Sequence, residues 1–307
     1  EYYAQWAGWR LGWIHYLDKK FEKAFNKFQE VAHQFPDGSF IEYNLYWSAK
    51  SAEKLDKKDV ARDLYAKVAE FYPYTFHGVR AKDRLHALGV KPLIQNQTQS
   101  SSAEEKGHQL GRSLSIREKF HYIRANELAK LGLTQEARTE IGELQKTVRK
   151  NLTGVLWLSH LYHQAQGYAE SLKLLHLYKD FTTKPKEKNL SPKFWKHFFP
   201  LAYKEAILEY AKYRKVDPFF VNGIIRQESL FDSQALSPAG ARGLMQIMPA
   251  TGKKLYPKTK LKKPFETNAL FDPDLNIRLG VKYVSQLNKR FGKNGMHILI
   301  SYNAGPH

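Results

Sequence analysis

The chain has 307 residues, with 49 Lys and Arg against 30 Asp and Glu for a formal charge of +19, and 42% of its residues are hydrophobic. That length and composition exclude a disordered chain and predict a globular protein of two domains rather than one. With no cysteine there is no disulfide, thiol chemistry or cysteine-based zinc site, and the twelve histidines show no paired metal-binding spacing such as His-Glu-x-x-His. The charge favours a polyanionic partner.

The amino terminus, Glu1-Tyr2-Tyr3, has neither the basic start nor the apolar stretch of a signal peptide, so a chain trimmed upstream is expected. No apolar run reaches the roughly eighteen residues of a membrane span. A repeat follows. Gly12, Ala24, Phe28 and Pro36 recur as Ala49, Ala61, Tyr65 and Pro73, displaced by 37 residues at every position. Small residues twelve apart let two helices approach closely, the aromatic four residues later fills the space between them, and the proline ends the second helix. This is the pattern of a tetratricopeptide-type hairpin. Ala125 with Ala137 and Ile141, and Ser159 with Ser171 and Leu175, predict two further degenerate copies. Residues 1–181 thus read as an α-solenoid, interrupted by a polar stretch from Pro92 to Gly107 that lacks helical periodicity and is expected to be a surface loop. Repeats alone would suggest a protein-binding scaffold. Thr182 to Pro192, containing Lys184-Pro185-Lys186, is the expected boundary to a second domain at 194–307.

That second part is the basic part: from Phe181 to His307 there are 22 Lys and Arg against 9 Asp and Glu. Asp217-Pro218 predicts a helix start, an N-cap acceptor followed by a proline suited to the first turn. Phe220, Ile224 and Glu228 then fall four apart on one face, so Glu228 sits among apolar side chains in the last turn. Burial and the negative end of the helix dipole both disfavour its ionised form. A carboxylic acid kept protonated near neutral pH is what a general acid requires, the ordinary alternative being a solvated residue at a helix end. Asp232, four residues on, reads as a turn or cap residue. Lys253, Lys254, Lys258, Lys260, Lys262 and Lys263 form a basic run that is either a solvated loop or an anion-binding face.

Around Glu228 stand Arg226-Gln227-Glu228-Ser229, then Ser237-Pro238-Ala239-Gly240-Ala241, then Gly243-Leu244-Met245-Gln246-Ile247-Met248-Pro249. Farther on come Asn276-Ile277-Arg278-Leu279-Gly280, with Tyr283 and Leu287 behind it, and Ser301-Tyr302-Asn303-Ala304-Gly305-Pro306. Together with Pro200-Leu201-Ala202-Tyr203 and Val216-Asp217-Pro218, these ordered blocks over about a hundred residues resemble the catalytic domain of the soluble lytic murein transglycosylases. The resemblance implies an all-α protein, a goose-type-lysozyme-like helical domain preceded by a helical superhelix. Ser301 stands where that family usually has Ala, and the family's domain normally continues with further helices beyond the position of His307.

The activity implied is cleavage of the β-1,4 bond between N-acetylmuramic acid and N-acetylglucosamine in peptidoglycan, with Glu228 as acid and then base, and 1,6-anhydromuramyl products. No cofactor or metal is expected. Ser237, Gly243, Met245, Gln246, Met248, Tyr302 and Asn303 are the expected substrate-binding residues: Met245 and Met248 as apolar walls for sugar rings, Gln246 as a partner for an acetamido or hydroxyl group, Gly243 with Gly240 as points where backbone nears the groove, Tyr302 as a donor orienting Glu228. For each, the residues alone allow a packing or turn role. The partners implied are peptidoglycan strands and other cell-wall enzymes docked on the repeats, in a bacterial periplasm or envelope. Three alternatives remain open: a goose-type lysozyme that passes the bond to water, a non-catalytic scaffold, and a nucleic-acid binder. The last lacks an Arg-rich reading helix or interleaved stacking aromatics.

Overall fold

The computed structural model describes residues 1–90, 114–148, 151–177, 192–259, 264–292 and 294–305. The polar stretch 92–107, residues 182–191 of the expected boundary, and Lys260, Lys262 and Lys263 of the basic run lie outside the described residues. The described chain is helical, with isolated bridges at Leu236–Arg242 and Arg242–Ile247 as its β-type pairing. It divides into two compact units, residues 1–100 with 178–190, and residues 101–177 with 191–307.

The first unit holds α1 (Tyr2–Leu17), α2 (Phe21–Gln34), α3 (Ile41–Lys54), α4 (Lys58–Phe71) and α5 (Phe76–Ala87), each packed on the next. The repeated small residues perform the role their spacing predicts. Ala24, Ala49 and Ala61 are fully buried, as are Phe28 and Tyr65. A Cβ on Gly12 would come to 2.6 Å from the Phe28 ring, so α1 and α2 touch through a position where only hydrogen fits. The hairpins turn on residues in the left-handed conformation, Lys19 between α1 and α2 and Asp56 between α3 and α4, again 37 positions apart.

The second unit opens with the other two hairpins, α6 (Ile116–Lys130) with α7 (Thr134–Val148), and α8 (Leu152–Gln164) with α9 (Tyr168–His176). Ser115 and Glu118 form a reciprocal capping box that fixes the start of α6. Ala125, Ala137 and Ile141 are buried as predicted, and the degenerate copy keeps its close approach with a polar pair, Ser159 Oγ lying 2.6 Å from Ser171 Oγ. The turns again use left-handed residues, Gly132 and Gln166.

Then come α10 (Pro192–Phe198), α11 (Lys204–Arg214), α12 (Pro218–Ser229), α13 (Pro249–Leu255), α14 (Pro273–Phe291) and α15 (Gly295–Ala304), with short 3-10 turns at Tyr256–Thr259 and Thr267–Phe271. The centre is α14, whose Leu275, Ile277, Leu279, Val281, Val284 and Leu287 are buried in one core with Val221, Ile224 and Ile225 of α12, Leu244, Met245 and Ile298. Each such side chain contributes about 1.5–3 kcal/mol by leaving water. Leu172 of α9 belongs to the same core, and Tyr168 of α9 packs against it. Among the described residues no helix is long and apolar enough to cross a membrane.

Candidate active site

Helix α12 is built as its sequence predicts. The Asp217 carboxylate accepts from the Phe219 N–H at 2.8 Å and Pro218 occupies the first turn. The helix ends on Leu230 and Phe231, both in the left-handed conformation at φ 51° and 67°. Two consecutive non-glycine residues held there cost about 1–2 kcal/mol each. They are held because Phe231 is buried in the core and because Ser229 Oγ shares its one proton between Leu244 O at 2.8 Å and Ile225 O at 3.1 Å, tying the helix end to the following loop.

One groove of about 580 Å³ runs beside this helix end, lined by Phe219, Phe220, Gly223, Ile224, Gln227, Glu228, Leu299, Tyr302 and Asn303. Two adjacent rows of α12, 219/223/227 and 220/224/228, form one wall, and one row of α15, 299/302/303, forms the other. Glu228 is the one acid among these lining residues, and burial pushes its carboxyl above the usual carboxylate range. Among the described residues no hydrogen bond reaches its carboxylate. Asp232 takes no part: its Oδ1 accepts from the Gln234 N–H at 2.9 Å and closes a turn.

The loop between α12 and α13 carries most of the other expected residues, and their side chains serve the loop more than the groove. Met245 is fully buried, packed so closely on α14 that a Cβ on Gly280 would collide with its sulfur. It is therefore a core residue, contrary to the expected sugar-facing wall, and what it turns toward the site is its backbone. Gly243, at φ +74°, is buried against the Leu270 carbonyl and the Asn276 amide, where a Cβ would clash. Its small size serves this contact, and Gly240, at φ +86° with open space around its Cα, serves the turn. Neither glycine lies among the lining residues. Gln246 sits at φ 45° and gives its Nε2 hydrogens to Ala235 O (3.1 Å) and Gly243 O (2.9 Å), leaving only its Oε1 toward a ligand. Ser237 closes the 237–241 turn, Oγ accepting from the Ala241 N–H at 2.9 Å. Met248 is 42% exposed at the start of α13.

Tyr302 and Asn303 do lie in the groove wall with Glu228. The hydroxyl of Tyr302, expected to donate to Glu228, instead donates to Met245 O at 2.8 Å. Burial raises its phenol first, and the nearby negative charge of Glu228 raises it further. The residue that holds all this together had no role in the sequence reading. Asn276, fully buried on α14, accepts from the Met245 N–H at 2.8 Å and donates to Arg242 O at 2.9 Å and Leu270 O at 2.7 Å. A polar residue in the apolar register of a helix was the available signal. Gln227, Phe219 and Leu299 were also missed, because groove lining depends on which side of α12 meets α15.

Comparison with known proteins fits this geometry. Residues 205–307 match the transglycosylase SLT domain, and residues 6–38 and 43–73 match the tetratricopeptide repeat. The soluble lytic murein transglycosylase of Escherichia coli K12 is 28% identical over 235 residues, covering 74% of this chain and 34% of its own length. Lytic transglycosylase Slt from Pseudomonas aeruginosa, in an inactive form with one glutamate replaced by glutamine, superposes with a TM-score of 0.69 at 25% identity, over 98% of this chain and 44% of that one. The 70 kDa soluble lytic transglycosylase of Escherichia coli shares the fold with a TM-score of 0.64 at 23% identity, over 86% of this chain and 38% of that one. The chain thus spans about a third of the length of the curated relative it matches over most of its residues. It is a homologue of the soluble lytic murein transglycosylases, carrying tetratricopeptide repeats ahead of a transglycosylase SLT domain.

Proposed function

We propose that this chain is a peptidoglycan lytic transglycosylase that cleaves the β-1,4 bond between N-acetylmuramic acid and N-acetylglucosamine. The observation that carries the reading is Glu228, a single carboxyl in the wall of a groove, raised toward its neutral form by burial and, among the described residues, without a hydrogen bond to its anion. Protonated Glu228 gives its proton to the glycosidic oxygen as the bond to the muramyl C1 breaks. The acetamido carbonyl oxygen of the same sugar attacks C1 as the leaving group departs. The Glu228 carboxylate then takes the proton of the C6 hydroxyl, whose oxygen closes on C1 and expels the acetamido oxygen. The result is a 1,6-anhydro end, with no water consumed and the acid restored.

A hydrolase of the goose-lysozyme type would need a second group to position water. Asp232 is committed to its turn, and the lining residues offer no other acid. Phe219, Phe220, Ile224 and Leu299 give apolar faces for sugar rings, and Gln227 and Asn303 give amides for their polar substituents. Ser237, Gly243, Met245 and Gln246 act by shaping the loop behind the acid, and Met248, exposed where α13 begins but not among the lining residues, is left as an expected sugar contact.

We take residues 1–181 as one repeat superhelix and 194–307 as the catalytic domain, the last two hairpins of the superhelix sharing the catalytic domain's compact unit. The basic charge suits a wall polymer that is anionic through its stem-peptide carboxylates. This reading places the protein in the bacterial envelope, with the repeats available to other wall enzymes. Mass spectrometry of products released from purified sacculi tests the activity: 1,6-anhydromuramyl ends from the native chain and none from Glu228→Gln support it. Reducing ends would make it a hydrolase, and no products from a folded, sacculus-binding chain would make it a scaffold.

A further inference from the structure

A half-buried acid keeps its proton only if nothing nearby stabilises its anion, and the hydroxyl of Tyr302, in the same groove wall and close enough for the charge of Glu228 to act on it, is a candidate donor. A hydroxyl has one proton to donate. Here that proton is held by the Met245 carbonyl at 2.8 Å. On the other side of the same Cα the Met245 backbone is tied to Asn276, whose Oδ1 accepts the Met245 N–H at 2.8 Å. The Asn276 amide cannot turn, because its Nδ2 faces two carbonyl oxygens, Arg242 O at 2.9 Å and Leu270 O at 2.7 Å. Packing reinforces the restraint, since Met245 is fully buried against Gly280 and Gly243 leaves no free space beside Asn276.

We propose that Asn276 is a positioning residue for the general acid: by clamping the backbone at Met245 through its N–H it keeps the Tyr302 proton on the Met245 carbonyl and away from Glu228, so the carboxyl stays protonated. This rests on the reading of Glu228 as the acid. Asn276 is not among the residues lining the groove. It acts through two hydrogen bonds in series, Asn276 to Met245 and Met245 to Tyr302. Releasing the clamp frees the Tyr302 hydroxyl to rotate and donate to the Glu228 carboxylate, which stabilises the anion and lowers the acid's pKa. Among the described residues, Tyr283 packs on Tyr302 at 5.4 Å between ring centroids, and the Arg242 guanidinium lies over the Phe271 ring.

The test is a double-mutant cycle read by pH. The kcat/KM of the native chain on uncrosslinked glycan strands falls on the basic side as Glu228 loses its proton. In Asn276→Ala that basic limb moves to lower pH, giving roughly a five- to tenfold loss at a fixed pH on the limb and a smaller loss on the acid plateau. In the Tyr302→Phe background, Asn276→Ala no longer moves the limb, since the proton that would be misdirected is gone. Equal loss at all pH values, in both backgrounds, would mark Asn276 as merely structural and overturn the proposal. Should Asn276→Ala not fold, Tyr302→Phe alone decides the matter by ¹³C NMR titration of the Glu228 carboxyl, which needs no turnover. The titration does not rise in Tyr302→Phe if the hydroxyl already points elsewhere. A rise would show that the hydroxyl had been donating to the anion, and would overturn the proposal even in a chain that cleaves peptidoglycan. A chain that cleaves nothing would fail the functional reading while leaving this titration as informative as before.

Discussion

Gly240 and Gly243 lie three residues apart in one loop, both with positive φ, and their replacement by alanine separates backbone strain from steric fit. At Gly240, φ +86°, no heavy atom lies within 4 Å of the position a Cβ would take. Gly240→Ala therefore costs only the left-handed backbone, about 1–2 kcal/mol. At Gly243, φ +74°, the Cβ meets the Leu270 carbonyl and the Asn276 amide, neither of which is the free end of a flexible chain. Relief requires breaking at least the 2.7 Å bond from Asn276 Nδ2 to Leu270 O, which leaves a buried donor and acceptor to be satisfied. That adds about 1–3 kcal/mol to the strain, so Gly243→Ala costs about 2–5 kcal/mol. Because the chain has two compact units, a single global melting temperature is a poor reporter. Native-state hydrogen exchange at the Met245 amide, which donates to Asn276, reads the opening free energy of this element directly. Equal losses for the two variants, within about 0.5 kcal/mol, would refute the steric reasoning and leave only backbone strain.

Glu228→Gln abolishes cleavage and leaves the fold at least as stable as the native one near pH 7. Burial raises the folded carboxyl, so the native state binds its proton more tightly than the unfolded chain, and stability falls as pH rises from the ordinary glutamate range through the raised value. Glutamine removes that slope; urea denaturation at pH 4 and pH 7 checks it, and a large loss at pH 7 would mark Glu228 as structural. His163 behaves in the opposite sense. Burial holds its imidazole down at about 4, with its Nε2 3.3 Å from His197 O, so the folded state binds fewer protons than the unfolded one between about pH 6.5 and 4. Stability of the second unit falls as pH drops through that window, by up to roughly 3 kcal/mol, and thermal scans of His163→Gln show a shallower loss over the same range.

The repeat was legible in the sequence because helix packing demands small residues at fixed intervals, and Gly12, against the Phe28 ring, and the buried Ala24, Ala49 and Ala61 meet that demand. Helix α12 was legible for a similarly local reason: Asp217-Pro218 caps its start, and the four-residue spacing of Phe220, Ile224 and Glu228 puts them on one groove-facing side. Which hairpin turns use left-handed residues was visible only at Gly132, since Lys19, Asp56 and Gln166 are held there by the packing of the helices they join.

The division of labour among the motif residues was not written in the sequence. Motif spacing brings Met245 and Tyr302 to one region, but whether a side chain faces ligand or core depends on partners 30 or more positions away. Asn276 takes the Met245 N–H, Gly280 admits its side chain, and the Met245 carbonyl takes the Tyr302 proton. The sequence by itself determined the helical repeat, the helix carrying Glu228 and the acid's apolar setting, because each follows from periodicity within one or two turns. Only the tertiary structure decided that the loop's polar atoms bond to one another, leaving the acid without a donor among the described residues, because a hydrogen bond is allotted by distance and direction in three dimensions.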